Sequence, residues 1–151
     1  MDRKNLLVKQ IVMGILGVFS LSLGGCFSGQ LPTPTEVDFR GEWKSDKNEI
    51  LTLYADSSFV IKNHFIGDYT AKLLFFDSSE TKISGKGTWR IYKNKLCLNY
   101  SSFIVNNETV EKKYGFTLSI KGSGFLENRL PWRIISWVGE DEGYSIFQKV
   151  E

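Results

Sequence analysis

Residues 41–54 read GEWKSDKNEILTLY, and residues 87–100 repeat the pattern without a gap as GTWRIYKNKLCLNY. Glycine, tryptophan, lysine, asparagine and tyrosine coincide in the two segments. A glycine suits a place where backbones crowd, a tryptophan fills a core, and a Lys-Asn pair suits a tight turn. The two segments therefore predict one hairpin design used twice; the alternative is a coincidence between hairpins of similar composition.

The rest of the chain from Phe39 onward also has the residue pattern of short strands and turns. From Phe39 onward, short runs rich in β-branched and aromatic residues are broken by Gly, Asp, Asn and Lys, which is typical of strands joined by turns. No window outside the N-terminal segment has the 3.6-residue apolar period of a helix. We therefore predict nine strands, at residues 39–44, 49–55, 58–64, 69–76, 82–92, 95–101, 112–121, 130–138 and 143–150.

Nine strands joined by tight turns form an antiparallel up-and-down meander. The open edges of such a sheet must pair or be covered, because they otherwise invite aggregation. About eight strands close a barrel, whose interior is filled with side chains or holds one small ligand. The sequence thus predicts an all-β fold, a single small barrel of about eight or nine strands over residues 39–151, preceded by an N-terminal signal helix.

The first hairpin resembles that of one known superfamily. The segment Gly-Glu-Trp at 41–43, followed by Leu-Thr-Leu at 51–53 and by Phe59, resembles the opening of lipocalin-like (calycin-like) domains, which recur in bacterial lipoproteins. The tryptophan of that superfamily plugs the closed end of the barrel. The resemblance implies this role for Trp43, and the repeat extends a core position to Trp89. The chain is shorter than a full lipocalin and has no long helix after its last predicted strand.

The N-terminal segment has the layout of an export signal. Arg3, Lys4 and Lys9 precede a charge-free run over residues 11–24. A helix of that length spans only about 21 Å, short of the ~30 Å hydrocarbon core of a membrane. The pattern therefore favours a signal peptide over a permanent transmembrane helix.

The charge-free run ends in Leu23, Gly24, Gly25 and Cys26, which resembles the lipobox that the lipoprotein signal peptidase recognises. In that family the thiol receives a diacylglycerol, the chain is cut before the cysteine, and the new amine is acylated. The resemblance implies a signal peptide at 1–25 and lipid attachment at Cys26. Residues 27–38 hold two of the three prolines and no apolar period, so residues 26–38 are predicted to be a lipidated N-terminus and a flexible tether. The alternatives are a secretory signal with a chance cysteine and a short buried apolar segment.

Lipid on Cys26 predicts a location. Two or three acyl chains make membrane attachment effectively permanent. Phe27 rather than Asp follows the cysteine, and the sorting rule of the family then favours the outer membrane, facing the periplasm, in a cell with two membranes. In a bacterium with one membrane, the same anchor predicts the outer face of the cytoplasmic membrane.

Charge and cysteine content restrict the function of the mature chain. Residues 1–25 hold three of the 19 Lys and Arg residues and one of the 17 Asp and Glu residues, so residues 26–151 are neutral overall. This balance argues against a nucleic-acid partner. Once Cys26 is acylated, Cys97 is the only other cysteine, so no disulfide forms within the chain. Cys97 is interpreted as a small apolar strand residue, with a reactive thiol as the alternative.

The inventory of reactive residues argues against catalysis. His64 is the only histidine, which excludes a His-based metal cluster, and it is predicted at the surface or rim. Gly-Ser-Gly at 122–124 lacks the pattern of a nucleophile elbow and predicts a turn. The acidic residues at 140–142 lack the spacing of a calcium loop. The apolar run at 73–76 indicates burial on both faces of a strand, or a sticky patch for a partner or a lipid.

We therefore expect a protein that is not an enzyme and that uses no metal or cofactor beyond its covalent lipid. The preferred function is a non-catalytic binding module for a small apolar ligand or an envelope component. The alternative is a structural or assembly accessory with a packed barrel, which acts through protein-protein contacts in the cell envelope.

Overall fold

A computed structural model describes residues 32–75, 82–105, 107–127, 129–139 and 143–151. The predicted signal peptide, the lipobox and Cys26 lie outside these residues. In chain order, the elements are α1 (Glu36–Phe39), β1 (Gly41–Ser45), β2 (Ile50–Leu53), β3 (Ser58–Phe65), α2 (Gly67–Phe75), β4 (Lys82–Tyr92), β5 (Lys95–Val105), β6 (Glu108–Val110), β7 (Tyr114–Ser123), β8 (Arg129–Gly139) and β9 (Gly143–Lys149).

The strands form one antiparallel sheet that closes on itself. Its order is β4-β3-β2-β1-β9-β8-β7-β5-β6, and a further pairing of β4 with β5 joins the two sides. Eight strands therefore make a closed barrel. The short β6 pairs with the last residues of β5, next to the segment of β5 that pairs with β7. The predicted all-β, up-and-down, lipocalin-like barrel is confirmed.

Alternate residues of each barrel strand point inward and form the core. Both repeated tryptophans, Trp43 and Trp89, are buried there. Each of the eight barrel strands contributes at least one large buried side chain. The buried hydrophobic residues of the strands are Trp43, Leu51, Leu53, Phe59, Ile61, Ile83, Trp89, Leu96, Leu98, Tyr100, Phe103, Val105, Leu118, Ile120, Trp132, Ile134 and Phe147.

The two ends of the barrel carry different elements. The α1 end has α1 and the turns that follow β2, β4 and β7. Backbone hydrogen bonds join neighbouring strands at this end, from Trp89 N to Ser57 O (2.8 Å) and from Ile120 N to Asn94 O (2.9 Å). The α2 end has the turn after β1, the helix α2, and β6.

The predicted strand at 69–76 is wrong, because residues 67–75 form the helix α2. Gly67 begins the helix with a φ of +72°, and Ile66 and Ala71 face the core while Tyr69 is 78% exposed. Ala, Lys and Leu are good helix formers, and they outweigh the strand preference of the neighbouring aromatic residues. Within the apolar run at 73–76, Leu73 is exposed, and Phe76 lies outside the described residues.

The start of the folded domain also differs in detail from the prediction. Residues 36–38, expected in the tether, belong to α1, where Asp38 accepts hydrogen bonds from the backbone N–H (2.9 Å) and the hydroxyl (2.8 Å) of Thr35. Phe39 is fully buried and stacks on Trp43 with ring centroids 5.2 Å apart. The chain therefore already packs on the barrel at Phe39, before β1 begins.

Candidate functional site

Ser45, Glu49, His64 and Tyr100 are among the polar side chains that are buried inside the barrel, at or toward its α2 end. Ser45 ends β1, Glu49 precedes β2, His64 lies near the end of β3, and Tyr100 lies on β5. Ser45 is nearly buried, and the other three side chains are at most 2% exposed. We call these four residues the polar cluster. Polar groups in a core are costly unless they are hydrogen-bonded, so their partners decide what the cluster does.

The position of His64 depends on a β-bulge. The pairing of β3 with β4 shifts between Ile61 and His64, and Asn63 there has a φ of +56°. Lys62 and Asn63 both face solvent, so the alternation of side chains restarts with His64 directed inward. The predicted surface or rim position of His64 is therefore wrong. Asn63 is the one sequence signal for the bulge, since asparagine tolerates the left-handed region.

Glu49 reaches the interior through the turn after β1. Its carboxylate accepts a hydrogen bond from the Ser45 hydroxyl (2.7 Å) and another from the Phe65 backbone N–H (2.9 Å). The Ser45 oxygen in turn accepts from the backbone N–H groups of Lys47 (3.1 Å) and Glu49 (3.0 Å). The carboxylate thus ties the end of β3 to the first hairpin. The sequence analysis did not single out this residue.

His64 and Tyr100 form the second half of the cluster. A hydrogen bond of 2.6 Å joins His64 Nδ1 to the Tyr100 hydroxyl, and the edge of the His64 ring meets Phe116 with centroids 5.0 Å apart. His64 Nε2 is buried without a hydrogen-bond partner among the described residues. Gly85 makes room for Tyr100, because a Cβ at Gly85 would lie 2.7 Å from Tyr100 Cδ1.

Burial sets the charge states of this pair. It lowers the pKa of His64 from 6.5 to about 4, so the imidazole is neutral at neutral pH. Burial also raises the pKa of Tyr100, and the Glu49 carboxylate raises it further. Histidine, tyrosine and a carboxylate can serve as acid and base, and here all three side chains are buried. Burial keeps the imidazole of His64 ready to take up a proton only at acidic pH.

The outer wall of the barrel carries a groove of about 640 Å³ across β3, β4, β5 and β7. Volumes of 300–1,000 Å³ are usual for sites that hold small molecules. Gly115 has no side chain to fill the groove, and Lys86 and Lys113 bring two cationic side chains to it. The groove is lined by Ser58, Phe59, Val60, Lys86, Gly87, Thr88, Asn99, Tyr100, Ser101, Lys113, Tyr114 and Gly115.

The tryptophans and other residues highlighted by the sequence lie apart from the polar cluster. The indole N–H of Trp43 donates to the Phe39 carbonyl (2.7 Å), and that of Trp89 donates to the Tyr54 carbonyl (3.1 Å). Cys97 is half-buried and free. The turn predicted at 122–124 begins only at Gly124, because Gly122 and Ser123 end β7. The Ser123 hydroxyl lies within hydrogen-bond distance of two backbone carbonyls at the start of β8. The acidic residues at 140–142 lie outside the described residues.

Over the described ranges, no three His, Cys, Asp or Glu side chains group closely enough to hold a metal ion. In the same part of the chain, no helix has the length and apolar character needed to cross a bilayer. Comparison with protein-family models, with curated proteins and with solved structures finds no match to this chain.

Proposed function

We propose that this protein is a lipid-anchored, non-catalytic binding module of a bacterial cell envelope, and that it binds on the outer wall of its barrel. The anchor is proposed from the sequence, where Leu23, Gly24 and Gly25 precede Cys26 at the end of an apolar run. A diacylglycerol and an N-acyl chain on Cys26 would hold the domain on the membrane. In a cell with two membranes, Phe27 favours the outer one.

The observation that carries the proposal is the set of large side chains that the strands direct into the interior of the barrel. Every barrel strand directs at least one large side chain inward, and Trp43, Phe59, Tyr100, Phe103 and Phe147 are among the largest of those that are buried. Protein interiors are packed as densely as organic crystals, so a ligand inside this barrel would have to displace these rings. Binding on the outer wall requires no such displacement.

The outer groove suits a small apolar molecule with an acidic group. Val60 and Tyr114 offer apolar surface, and the ammonium groups of Lys86 and Lys113 favour an anion at the groove. A fatty acid has this chemistry. Gly115 is the point at which the groove can be blocked, because a Cβ there meets only Asn99 Oδ1, at an ordinary 3.6 Å.

The groove is tested by titrating a fluorescent fatty acid into the full chain and into two variants. Gly115→Trp fills the groove, and Thr117→Trp places the same ring on an exposed position two residues along β7 that does not line it. We expect saturable binding that Gly115→Trp weakens by about tenfold or more, equivalent to at least 1.4 kcal/mol. Equal affinity in the two variants, or no binding by the unmodified chain, would contradict the groove as the site.

The anchor is tested separately by mass spectrometry of the protein purified from bacterial membranes. We expect residues 1–25 to be absent and Cys26 to carry acyl chains. The matched variant Cys26→Ala removes the thiol that lipidation needs, and it is expected to leave the membrane fraction. A mature chain that retains residues 1–25, or that carries an unmodified Cys26, would contradict the proposed anchor.

A second candidate function is an assembly accessory that acts through protein contacts. It is supported by the exposed rings of Trp137 and Tyr144 on neighbouring strands β8 and β9, whose centroids are 5.0 Å apart. Exposed aromatic pairs are typical of protein interfaces. A photo-crosslinker at Trp137 should then give one discrete adduct in intact membranes, while the same group at Thr117 should give none. A crosslinker at Trp137 that gives no adduct would exclude this function for the pair.

A further inference from the structure

We propose that the α1 end of the barrel rests in the membrane interface, with the turn at Phe125 and Leu126 inserted among the lipids. This inference rests on the proposed lipid anchor and adds the orientation of the domain and a second, non-covalent contact with the lipid surface. It is carried by two independent observations, the exposed apolar residues at this end and the short covalent path from Cys26 to the same end.

The turn between β7 and β8 presents bare apolar side chains. Phe125 is 100% exposed and Leu126 is 70% exposed, so neither packs against the barrel. Leu130 at the start of β8 and Val37 in α1 are also exposed, at the same end of the barrel. We call these four residues the apolar tip. Val37 and Leu130 line one groove, which confirms that α1 and the start of β8 are neighbours.

Several polar groups at the base of this turn are hydrogen-bonded or ion-paired within the protein. Gly122 N–H donates to the Glu127 carbonyl (2.6 Å), and Glu127 N–H donates to the Gly124 carbonyl (3.0 Å). The Ser123 hydroxyl reaches the carbonyls of Arg129 (3.1 Å) and Leu130 (2.7 Å). Lys121 and Glu127 neutralise each other in an ion pair. Because unpaired polar groups are costly in lipid, these pairings at the base of the turn lower the cost of placing it in the interface.

The path from the proposed anchor to the barrel is short. The α1 segment is fixed to the barrel, since the Phe39 carbonyl accepts from the Trp43 indole and the Asp38 carbonyl accepts from Lys149 Nζ (2.8 Å). Pro34 is already buried. Only five residues separate Cys26 from Pro32, and the path between the two spans at most about 22 Å when fully extended. An acylated Cys26 therefore holds the α1 end, rather than the α2 end, next to the membrane.

The other turns of the α1 end have the side chains expected at a lipid headgroup layer. Tyr54 is exposed in the turn that follows β2, and Tyr92 is exposed as the last residue of β4. Lys93 Nζ lies 5.4 Å from the centroid of the Tyr92 ring. Tyrosine and lysine are favoured at membrane interfaces, where one part of the side chain is apolar and the other is hydrated. These turns can border the apolar tip without entering the hydrocarbon.

The experiment uses the acylated protein, purified from bacterial membranes and reconstituted in phosphatidylethanolamine and phosphatidylglycerol vesicles that contain a spin-labelled lipid. Cys97→Ser removes the second thiol, and Phe125→Cys then carries an environment-sensitive dye. Tyr144→Cys, an exposed aromatic position at the α2 end, carries the same dye as the matched control. We expect the lipid to quench the dye at 125 several-fold more strongly than the dye at 144. Leu126→Cys should behave like Phe125→Cys.

The outcomes separate this inference from the anchor. If mass spectrometry shows an acylated Cys26 but the dye at 125 is quenched no more than the dye at 144, the orientation is wrong and the anchor stands. The orientation is also wrong, and the anchor again stands, if a protein partner covers the apolar tip in detergent without vesicles and the dye at 125 is not quenched in vesicles. If Cys26 itself takes up the dye, its thiol carries no lipid. The proposed anchor and the proposed orientation of the α1 end are then both wrong.

Discussion

The two tryptophan hairpins share a sequence pattern but close with turns of different length. In the first hairpin, Ser45 pairs with Glu49 across a three-residue turn in which Asn48 has a φ of +62°. In the second hairpin, Tyr92 pairs with Lys95 across a two-residue turn in which Lys93 has a φ of +54°. The gapless sequence alignment therefore conceals a difference of one residue.

That one residue decides which side chains enter the barrel. Leu51 faces inward in the first hairpin, whereas Cys97, which aligns with it, is half-exposed and its neighbours Leu96 and Leu98 face inward instead. Side chains alternate along a strand, so a one-residue slip moves every side chain to the opposite face. The same slip buries Glu49 and leaves the aligned lysine in solvent, so the polar cluster forms beside the first hairpin and has no counterpart beside the second.

The register difference is tested most strongly by truncating aligned positions. Leu51→Ala should lower the free energy of unfolding by about 2–5 kcal/mol, because it leaves a cavity in the core. Cys97→Ala should change it by less than about 1 kcal/mol, because the thiol is half-exposed. Chemical denaturation of the two variants measures both values. Equal losses would show that the two hairpins share one register.

The polar cluster next to the first hairpin should make stability depend on pH. The unfolded chain protonates His64 near pH 6.5, whereas burial lowers the pKa of the folded state to about 4. The free energy of unfolding should therefore be highest above pH 6.5 and fall as the pH decreases toward 4, by roughly 3 kcal/mol in total.

The control is His64→Gln, which removes the only histidine of the chain while keeping a polar side chain. Denaturation curves at pH 7 and pH 4.5 should differ less in this variant than in the unmodified protein, because the variant has no histidine to protonate. Some difference should remain, since carboxylates titrate in both proteins. Identical pH dependence in the two proteins would show that His64 does not control stability in this range.

The buried carboxylate offers a third contrast between the hairpins. Glu49→Ala removes the acceptor of the Ser45 hydroxyl and of the Phe65 N–H, and buried donors left without partners cost about 1–3 kcal/mol. Lys95→Ala, at the aligned exposed position, should change stability by no more than about 0.5 kcal/mol. Glu49→Gln, which keeps an acceptor oxygen, should recover part of the loss. A Lys95→Ala loss as large as that of Glu49→Ala would contradict the slip.

These contrasts show which parts of the fold the sequence predicts. Strand texture and the repeated Gly-Trp segments suffice for a closed barrel, because alternation and the need to pair edges leave few arrangements. The inward positions of Glu49 and His64 depend on one extra turn residue and one bulge, and asparagine at 48 and 63 permits these backbone conformations without requiring them. The sequence does not predict the helix α2, because its aromatic residues favour strands while its Ala and Leu favour helices. Cys26 lies outside the described residues, so its lipid stays a prediction.

The smallest expected effect distinguishes the two turns themselves. A non-glycine residue in the left-handed region costs about 1 kcal/mol, and asparagine tolerates this region better than lysine does. Lys93→Gly should therefore stabilise the protein by up to ~1 kcal/mol, whereas Asn48→Gly should leave its stability within about 0.5 kcal/mol of the original. Asn94→Gly, next to Lys93 but outside the left-handed region, is the control, and it should destabilise by about 0.5–1 kcal/mol because glycine gains freedom in the unfolded chain. A larger gain at Asn48 than at Lys93, read from denaturation midpoints, would mean that turn length rather than backbone strain separates the two hairpins.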